Sequence, residues 1–316
     1  MNKLGIFVNF WEKNWECDLK KYINKAKDIG FDVLEFQAQA LLNMSNEKMD
    51  ELKKVARDRD IELTYSLGLD PRYDVSSADD SVRLGGIDYL KKIVERVGYM
   101  EGKIISGVSY AGWGCVPKDD LTGDKSPLLE RSVNSMKQIA KTAADYGVTY
   151  CVEAVNRFEG CILNTAAEAV DYVKKVDAPN IGVLLDTYHM NIEENSFREA
   201  ILTAGDLLLG FHTGDNNRRC PGRGHINFDE IFAALSEIGY KGRIVAEPFL
   251  SKGGEVGRDI YVWRDLENDV SEAALDSEAK YMLNFERLCL RNTTCNQKQG
   301  GNIYEDKKGL FLWSPL

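Results

Sequence analysis

The feature that most constrains the fold is a regular alternation along the chain. Short apolar runs of strand length alternate with longer stretches whose apolar residues recur at helical spacing. Strands that alternate with helices favour parallel pairing, so the pattern predicts an α/β fold. The predicted strands cover residues 4–8, 33–36, 63–66, 103–107, 149–153, 181–186, 208–212 and 244–247.

Eight strand–helix units predict a single closed (β/α)8 TIM barrel. The main alternative is an open, doubly wound sheet, which usually carries a glycine-rich phosphate-binding loop after its first strand. The first predicted strand here leads into Asn9-Phe10-Trp11-Glu12, which contains no such loop. The closed barrel is therefore favoured.

Two helix starts are marked by capping residues. Thr165 is followed three residues later by Glu168, which is the spacing of a capping box. Asn227 precedes a segment with apolar residues at helical spacing, namely Phe228, Ile231, Phe232, Leu235 and Ile238. Near residue 290 the pattern changes to a polar stretch that ends in an apolar run. We therefore predict a barrel domain over residues 1–290 and a short C-terminal tail over residues 291–316.

The composition disfavours several classes of partner. The net charge of −10 disfavours nucleic acid and anionic membranes. No stretch approaches the ~20 apolar residues of a membrane helix, and the N-terminal apolar run lacks the features of a signal peptide. The seven cysteines contain no CxxC pair, which suits a reducing compartment. We expect a cytoplasmic protein with no nucleic-acid or membrane partner.

Four consecutive predicted strands end in side chains that bind metals. These residues are Glu153, Asp186, His212 and Glu247. The carboxyl ends of barrel strands share one face, where active sites of this fold lie, so the four side chains should converge there. Three oxygen donors and one imidazole suit Mn2+, Co2+ or Mg2+. Each residue alone is an ordinary strand end, but the four together favour one divalent metal ion.

Further polar and aromatic residues follow the same strand ends. Glu159, His189 and Arg218 lie three to six residues beyond the candidate ligands, where they could orient a polyhydroxy substrate or remain in solvated loops. Aromatic residues near this face could wall a pocket or pack in the core; they are Trp11, Trp15, Trp113 and Phe249. No role follows from sequence for Asn216, Arg219 and His225.

Several motifs together resemble the D-tagatose/D-allulose (psicose) 3-epimerase family. The resemblance runs in order from Leu4 to Arg287, and its last four motifs are specific as a set. The motifs are Gly5-Ile-Phe-Val-Asn-Phe-Trp11, Val152-Glu-Ala-Val-Asn-Arg-Phe-Glu159, Leu185-Asp-Thr-Tyr-His-Met190, Phe211-His-Thr-Gly-Asp-Asn-Asn-Arg-Arg219, Ala246-Glu-Pro-Phe249 and Gly254-Glu-Val-Gly-Arg-Asp-Ile-Tyr-Val-Trp-Arg264.

The resemblance implies a metal-dependent isomerase that acts on free ketoses, as a homodimer or homotetramer. It implies that Glu153 and Glu247 form the acid/base pair besides ligating the metal with Asp186 and His212. Glu159, His189 and Arg218 match residues that hold the O1–O3 end of the sugar. Pocket-lining residues are expected at Phe7, Gly68, Trp113 and Phe249. Departures at Gln37-Ala-Gln39 and between Gly107 and Cys115 lie where the distal sugar carbons would bind.

The expected reaction is proton transfer at C3 of a ketohexose, of the D-allulose/D-fructose or D-tagatose/D-sorbose type. A metal would stabilise the enediolate, and two carboxylates would serve the two faces of C3. One alternative is the catalytic subunit of a C-glycoside deglycosylase, which would act on 3-oxo-glycosides beside a small partner subunit. Another is a non-catalytic sugar-binding protein, which would not need four charged ligands.

Overall fold

Eight parallel strands close into a barrel in this computed structural model, which describes residues 2–117 and 121–298. Each strand pairs with its neighbours in chain order, and β1 closes the ring against β8 through Leu4 opposite Ile244. The strands are β1 (Leu4–Phe7), β2 (Val33–Gln37), β3 (Glu62–Gly68), β4 (Ile104–Val108), β5 (Thr149–Ala154), β6 (Ile181–Asp186), β7 (Leu208–Thr213) and β8 (Arg243–Ala246). The predicted (β/α)8 barrel is confirmed.

Helices surround the barrel and cover the outer faces of the strands. They are α1 (Leu19–Ile29), α2 (Asn46–Asp58), α3 (Asp80–Tyr99), α4 (Ser126–Asp145), α5 (Ala166–Val176), α6 (Thr187–Glu193), α7 (Phe197–Ala204), α8 (Phe228–Glu237), α9 (Gly254–Asp259) and α10 (Glu272–Lys298). Short 3-10 turns follow several strands, at Val8–Phe10, Ala38–Asn43 and Pro71–Tyr73, and another, Gly205–Leu207, precedes β7. Because helices cover the outside and side chains fill the inside, strands such as β6 are buried along their whole length.

The two predicted helix starts are observed. The Thr165 side chain accepts a hydrogen bond from the backbone N–H of Glu168 at 3.3 Å, and the Glu168 carboxylate accepts one from the N–H of Asn164 at 2.7 Å. The Asn227 side chain accepts from the backbone N–H of Glu230 and caps α8. These bonds satisfy donors that the first turn of a helix leaves free.

Strand boundaries differ from the sequence-based ones by one or two residues at most ends. The ladder of β8 begins at Arg243 and ends at Ala246, so Glu247 is the first residue beyond the strand, where its N–H still donates to the carbonyl of Thr213 at 2.8 Å. The ends of each strand are set by its hydrogen bonds to the neighbouring strands, and the hydropathy pattern contains no information about that pairing. Within the described residues, no helix combines the length and apolar character needed to cross a bilayer.

The C-terminal part of the described chain is a long helix. Helix α10 covers Glu272–Lys298 and packs against α8 and α1. The predicted division between barrel and tail at residue 290 falls inside this helix, and residues 299–316 of the predicted tail lie outside the described part. The division into domain and tail stays a prediction.

Candidate metal centre and sugar pocket

The four candidate ligands meet at the carboxyl ends of β5 to β8. One ligand-type atom from each of Glu153, Asp186, His212 and Glu247 lies within 4.8 Å of the others. Asp186 and His212 stand opposite each other in the β6–β7 register, and the pairing of neighbouring strands brings the other two to the same level. Glu153, Asp186 and His212 are buried, and the Glu247 side chain is 12% exposed. This group could hold a metal ion.

Unpartnered atoms within the cluster fit a bound cation. Oε1 of Glu153 and Nδ1 of His212 are buried without a hydrogen-bond partner, and that nitrogen lies 3.6 Å from Oε2 of Glu247. Buried polar atoms without partners are rare in folded proteins, and a metal ion would give both of them a partner. Three carboxylates this close also repel each other unless a cation or a proton neutralises them. The donor set suits a divalent ion that prefers oxygen and imidazole ligands.

The two glutamates are driven toward opposite protonation states. Burial raises the pKa of Glu153 well above its ordinary value, and the charge of Glu247 raises it further. Burial alone would also raise the pKa of Glu247, but the nearby imidazole of His212 and the charge of Arg218 lower it. Two neighbouring carboxyls of unequal pKa are the arrangement that acid/base catalysis uses.

His212 is held from both sides by carboxylates. Burial alone would lower the pKa of His212, but Glu35 and Glu247 raise it well above its ordinary value. Nε2 of His212 lies 2.9 Å from Oε1 of Glu35, on the side of the ring away from the cluster. A cation at the cluster would compete with the imidazole proton, because a metal binds the deprotonated nitrogen.

The three predicted sugar-contacting residues form a second polar cluster beside the first. Glu159 accepts hydrogen bonds from Nδ2 of Asn156 at 2.9 Å and from Nε1 of Trp113 at 3.1 Å. Nε2 of His189 lies 3.5 Å from Oε1 of Glu153, and its Nδ1 lies 2.8 Å from the Asn156 amide. Burial lowers the pKa of His189, so its ring is neutral at neutral pH. Asn156 thus orients two predicted residues, and sequence reasoning missed it.

Arg218 connects the two clusters. Its Nη1 lies 3.2 Å from Oδ2 of Asp186 and 3.3 Å from Oε2 of Glu247. The guanidinium carbon lies 4.0 Å from the ring centroid of Tyr188, which fixes the plane of the charged group. Burial alone would lower the pKa of Arg218, but the surrounding carboxylates raise it, so the group stays charged. The backbone of Arg218 has a positive φ of 63°, an uncommon conformation for a residue other than glycine.

Asp215 organises the loop that carries Arg218. Its fully buried carboxylate accepts hydrogen bonds from four backbone N–H groups, those of Asn216, Gly222, Gly224 and Ile226, at 2.7–3.2 Å. The other polar residues of the loop also have structural partners. Asn216 accepts from the backbone N–H of His225, and Arg219 pairs with Glu267. Hydrogen bonds to the buried Asp215 carboxylate therefore fix the conformation of the loop.

All seven predicted pocket residues line one inner cavity of about 50 Å³, together with Glu153 and Glu247. They are Phe7, Gly68, Trp113, Glu159, His189, Arg218 and Phe249. The inner cavity adjoins an outer cavity of about 950 Å³, and the two share the lining residues Trp15, Gln37, Gly68, Trp113 and Glu159. Trp11 lies elsewhere: it stacks on Tyr22 and donates to Asp276, so its role is packing.

Glu35 is a further residue that sequence reasoning missed. It sits in the middle of β2, is 2% exposed, and contacts His212 across the barrel. A signal was present, because Glu35 interrupts the apolar run Val33-Leu34-Glu35-Phe36. A charged residue at such a position is seldom buried unless it is paired.

Comparisons with known proteins agree with this fold. Residues 23–274 match the family described as xylose isomerase-like TIM barrel. The D-psicose 3-epimerase of Ruminiclostridium cellulolyticum is 44% identical over 91% of this chain and 98% of its own length. That of Agrobacterium fabrum is 40% identical over 91% of this chain and 99% of its own. A crystal structure of D-psicose 3-epimerase with D-tagatose, from Clostridium cellulolyticum H10, superposes with a TM-score of 0.88 at 43% identity, covering 91% of this chain and 99% of that one.

These matches cover most of both chains and include the strands that carry the candidate site. The chain belongs to the xylose isomerase-like TIM barrel family, and within that family to the ketose 3-epimerases, which are isomerases.

Proposed function

We propose that the protein is a divalent-metal-dependent ketose 3-epimerase that interconverts C3 epimers of free ketohexoses, of the D-allulose/D-fructose or D-tagatose/D-sorbose type. One observation carries the proposal: Glu153 and Glu247 border the same inner cavity as Glu159, His189 and Arg218. Acid/base groups and sugar-orienting groups therefore face one small volume. The names of the relatives, D-psicose 3-epimerase and L-ribulose 3-epimerase, support the same chemistry.

Glu153, Asp186, His212 and Glu247 would hold one divalent ion, with Mn2+ or Co2+ favoured and Mg2+ the alternative. When bound, this ion supplies a Lewis acid that polarises the C2 carbonyl and stabilises the enediolate. Support for the site comes from the mutual distances below 4.8 Å and from the unpartnered atoms of Glu153 and His212.

The two glutamates divide the proton transfer between them. One carboxylate removes the proton from C3, and the electron pair of the broken C–H bond moves toward the carbonyl oxygen at C2. The other glutamate returns a proton to C3 from the opposite face, which inverts that carbon and restores the ketone. The reverse reaction exchanges their roles.

The cavity walls determine which carbon reacts. Arg218, His189 and Glu159 would bind the O1–O3 end, and Phe7 and Phe249, in edge-to-face contact at 6.0 Å, would exclude water beside it. The inner cavity of about 50 Å³ is too small for a whole hexose, so the distal carbons would extend into the outer cavity past Gln37 and Trp113.

In the cell, we propose a cytoplasmic homodimer or homotetramer.

The test is incubation of the metal-loaded protein with a panel of ketohexoses in D2O, followed by NMR. The expected product is the C3 epimer with deuterium at C3 only. Deuterium at C1 would indicate aldose–ketose isomerisation. Turnover of a 3-oxo-glycoside, without exchange on any free ketose, would support the deglycosylase alternative.

Removal of the metal with a chelator should abolish the exchange, and added Mn2+ or Co2+ should restore it. Full activity of protein shown to be metal-free by elemental analysis would contradict the metal dependence.

A further inference from the structure

Glu35 is a buried carboxylate that lines neither the inner nor the outer cavity. Its Oε2 accepts a hydrogen bond from Oγ1 of Thr64 on the adjacent strand β3 at 2.8 Å. Its Oε1 lies 2.9 Å from Nε2 of His212, which reaches inward from β7 on the other side of the barrel. The side chain is 2% exposed and is not one of the four clustered ligand residues. Glu35 therefore touches one candidate ligand and no substrate-facing surface.

Packing alone does not explain a carboxylate at this position. Burying a charge inside a barrel of apolar side chains is costly unless the charge is paired and hydrogen-bonded. Thr64 fixes the plane of the carboxylate by donating a hydrogen bond to Oε2, while Oε1 accepts no hydrogen bond of ordinary geometry and has the His212 imidazole at ion-pair distance. The other oxygen is thereby aimed at a single imidazole nitrogen.

We propose that Glu35 is a positioning residue that sets the tautomer and ring orientation of His212 for metal binding. A carboxylate oxygen has lone pairs but no proton to donate, so it repels a bare ring nitrogen at 2.9 Å, and the nitrogen facing Glu35, Nε2, therefore carries the proton. In a neutral imidazole the other nitrogen, Nδ1, then has a free lone pair. Nδ1 is the atom without a hydrogen-bond partner, on the same side of the ring as Glu247.

This inference rests on the metal site proposed above and adds a residue to it. Glu35 is not a fifth ligand, because it faces Nε2, while the cluster faces the opposite edge of the ring. Carboxylates that hold the second nitrogen of a metal-binding histidine orient the ring and raise its basicity, and their loss typically weakens metal affinity ~10- to 100-fold. The same size of effect is expected here.

The first experiment measures the dissociation constant for Mn2+ by competition with a chelator. The full-length Glu35→Gln variant should bind Mn2+ ~10- to 100-fold more weakly than the native chain. The matched control is Glu286→Gln. Glu286 is also a fully buried carboxyl group that accepts a hydrogen bond from a threonine hydroxyl, that of Thr213, but it is not one of the four clustered ligand residues. The control should bind Mn2+ like the native chain. Thr64→Val, which frees the Glu35 carboxylate without removing it, should weaken binding in the same direction by a smaller factor.

The second readout is the tautomer itself, from 15N–1H spectra of the imidazoles in the Mg2+-loaded protein. The chain has three histidines, so the imidazole signals that remain in both the His225→Gln and the His189→Gln variants belong to His212. The native protein should show one proton on His212, at Nε2, and Glu35→Gln should show a mixture or the Nδ1 form. A native His212 protonated at Nδ1, or native-like Mn2+ affinity in a folded Glu35→Gln protein, would overturn the inference alone. Absence of divalent-metal binding by the native chain would contradict the metal site first and the role of Glu35 with it.

Discussion

At the scale of single residues, the site is a set of charges that compensate one another. Three carboxylates and an imidazole crowd the strand ends, and Arg218 lies against Asp186 and Glu247. The guanidinium therefore has two effects: it lowers the pKa of Glu247, and it lines the inner cavity, with Nη2 3.4 Å from Nε2 of His189. Substitutions of the carboxylates and of Arg218 should therefore have different kinetic effects, the first on kcat and the second on KM.

Glu153→Gln and Glu247→Gln should each lower kcat at least ~100-fold, the usual contribution of a general acid or base. An amide keeps the shape of the side chain but neither takes up nor releases a proton at working pH. Because both residues are also candidate ligands, metal content must be measured on the same samples. Glu237→Gln, which alters an exposed glutamate paired with Arg198, is the control and should change nothing. If either variant retains its metal and has a native kcat, the residue that it replaces is not a general acid or base.

Arg218→Ala should raise KM for the ketose more than it weakens metal binding. The guanidinium borders the inner cavity and has no ligand atom for a cation, so under the proposed binding mode its loss would remove hydrogen bonds to the sugar. Arg223→Ala is the matched control, since Arg223 pairs with Glu278 and lies over the ring of Tyr281, outside both cavities. The measurement is steady-state kinetics beside metal titration. Unchanged KM and kcat in Arg218→Ala would remove this residue from the substrate site.

At the scale of elements, the loop between β7 and α8 determines where Arg218 stands. The Asp215 carboxylate is surrounded by backbone N–H groups, and Gly224 approaches it closely. A Cβ atom at Gly224 would lie 2.2 Å from Oδ1 of Asp215 and from Oδ1 of Asn216. No side chain fits there without displacing the hydrogen bonds that hold the loop.

Gly224→Ala should therefore destabilise the protein and impair ketose binding together. The expected loss of unfolding free energy is ~1–3 kcal/mol, the range for an overpacked or unsatisfied buried polar site. The control is Gly85→Ala in α3, where an added Cβ meets nothing within 4 Å and should stabilise the helix by up to ~1 kcal/mol. Thermal unfolding and KM test both variants. If Gly224→Ala has the stability and the KM of the native protein, the loop tolerates the added Cβ and the prediction is wrong.

At the scale of the whole molecule, α10 joins the barrel through a buried carboxyl group. Glu286 is fully buried, and its Oε1 accepts a hydrogen bond from Oγ1 of Thr213, at the end of β7, at 2.5 Å. Burial raises the pKa of Glu286 to about 8 from an ordinary value of 4.5. Folding therefore keeps this group protonated at neutral pH, whereas the unfolded chain releases the proton.

The stability of the native protein should accordingly carry a pH dependence that Glu286→Gln removes. Below pH 4.5 the group is protonated in both states. As pH rises from 4.5 to about 8, only the unfolded chain loses the proton, so the free energy of unfolding falls by up to ~1.4 kcal/mol per pH unit. Relative to native, Glu286→Gln should gain stability between pH 5 and pH 9 in urea unfolding. A native–variant difference that is constant with pH would contradict the raised pKa.

Much of the architecture was predictable because it depends on local patterns. Each predicted strand overlaps an observed one, and Thr165 and Asn227 begin helices as expected. Periodicity and capping involve residues close in sequence, so they can be recognised without knowing the fold. The ends of β5, β7 and β8 shifted by one residue, because the extent of each ladder depends on its neighbouring strands.

The sequence by itself determined the candidate ligands, because parallel strands of a barrel necessarily end on one face and the four side chains occur at those ends. Tertiary structure alone decided what surrounds them. Glu35 meets His212 across the barrel, Asn156 joins Glu159 to His189, and Arg218 is aimed inward by a loop held from inside. Such contacts join strands and loops far apart in sequence, so their distances follow only from closure of the barrel and from the packing of its interior.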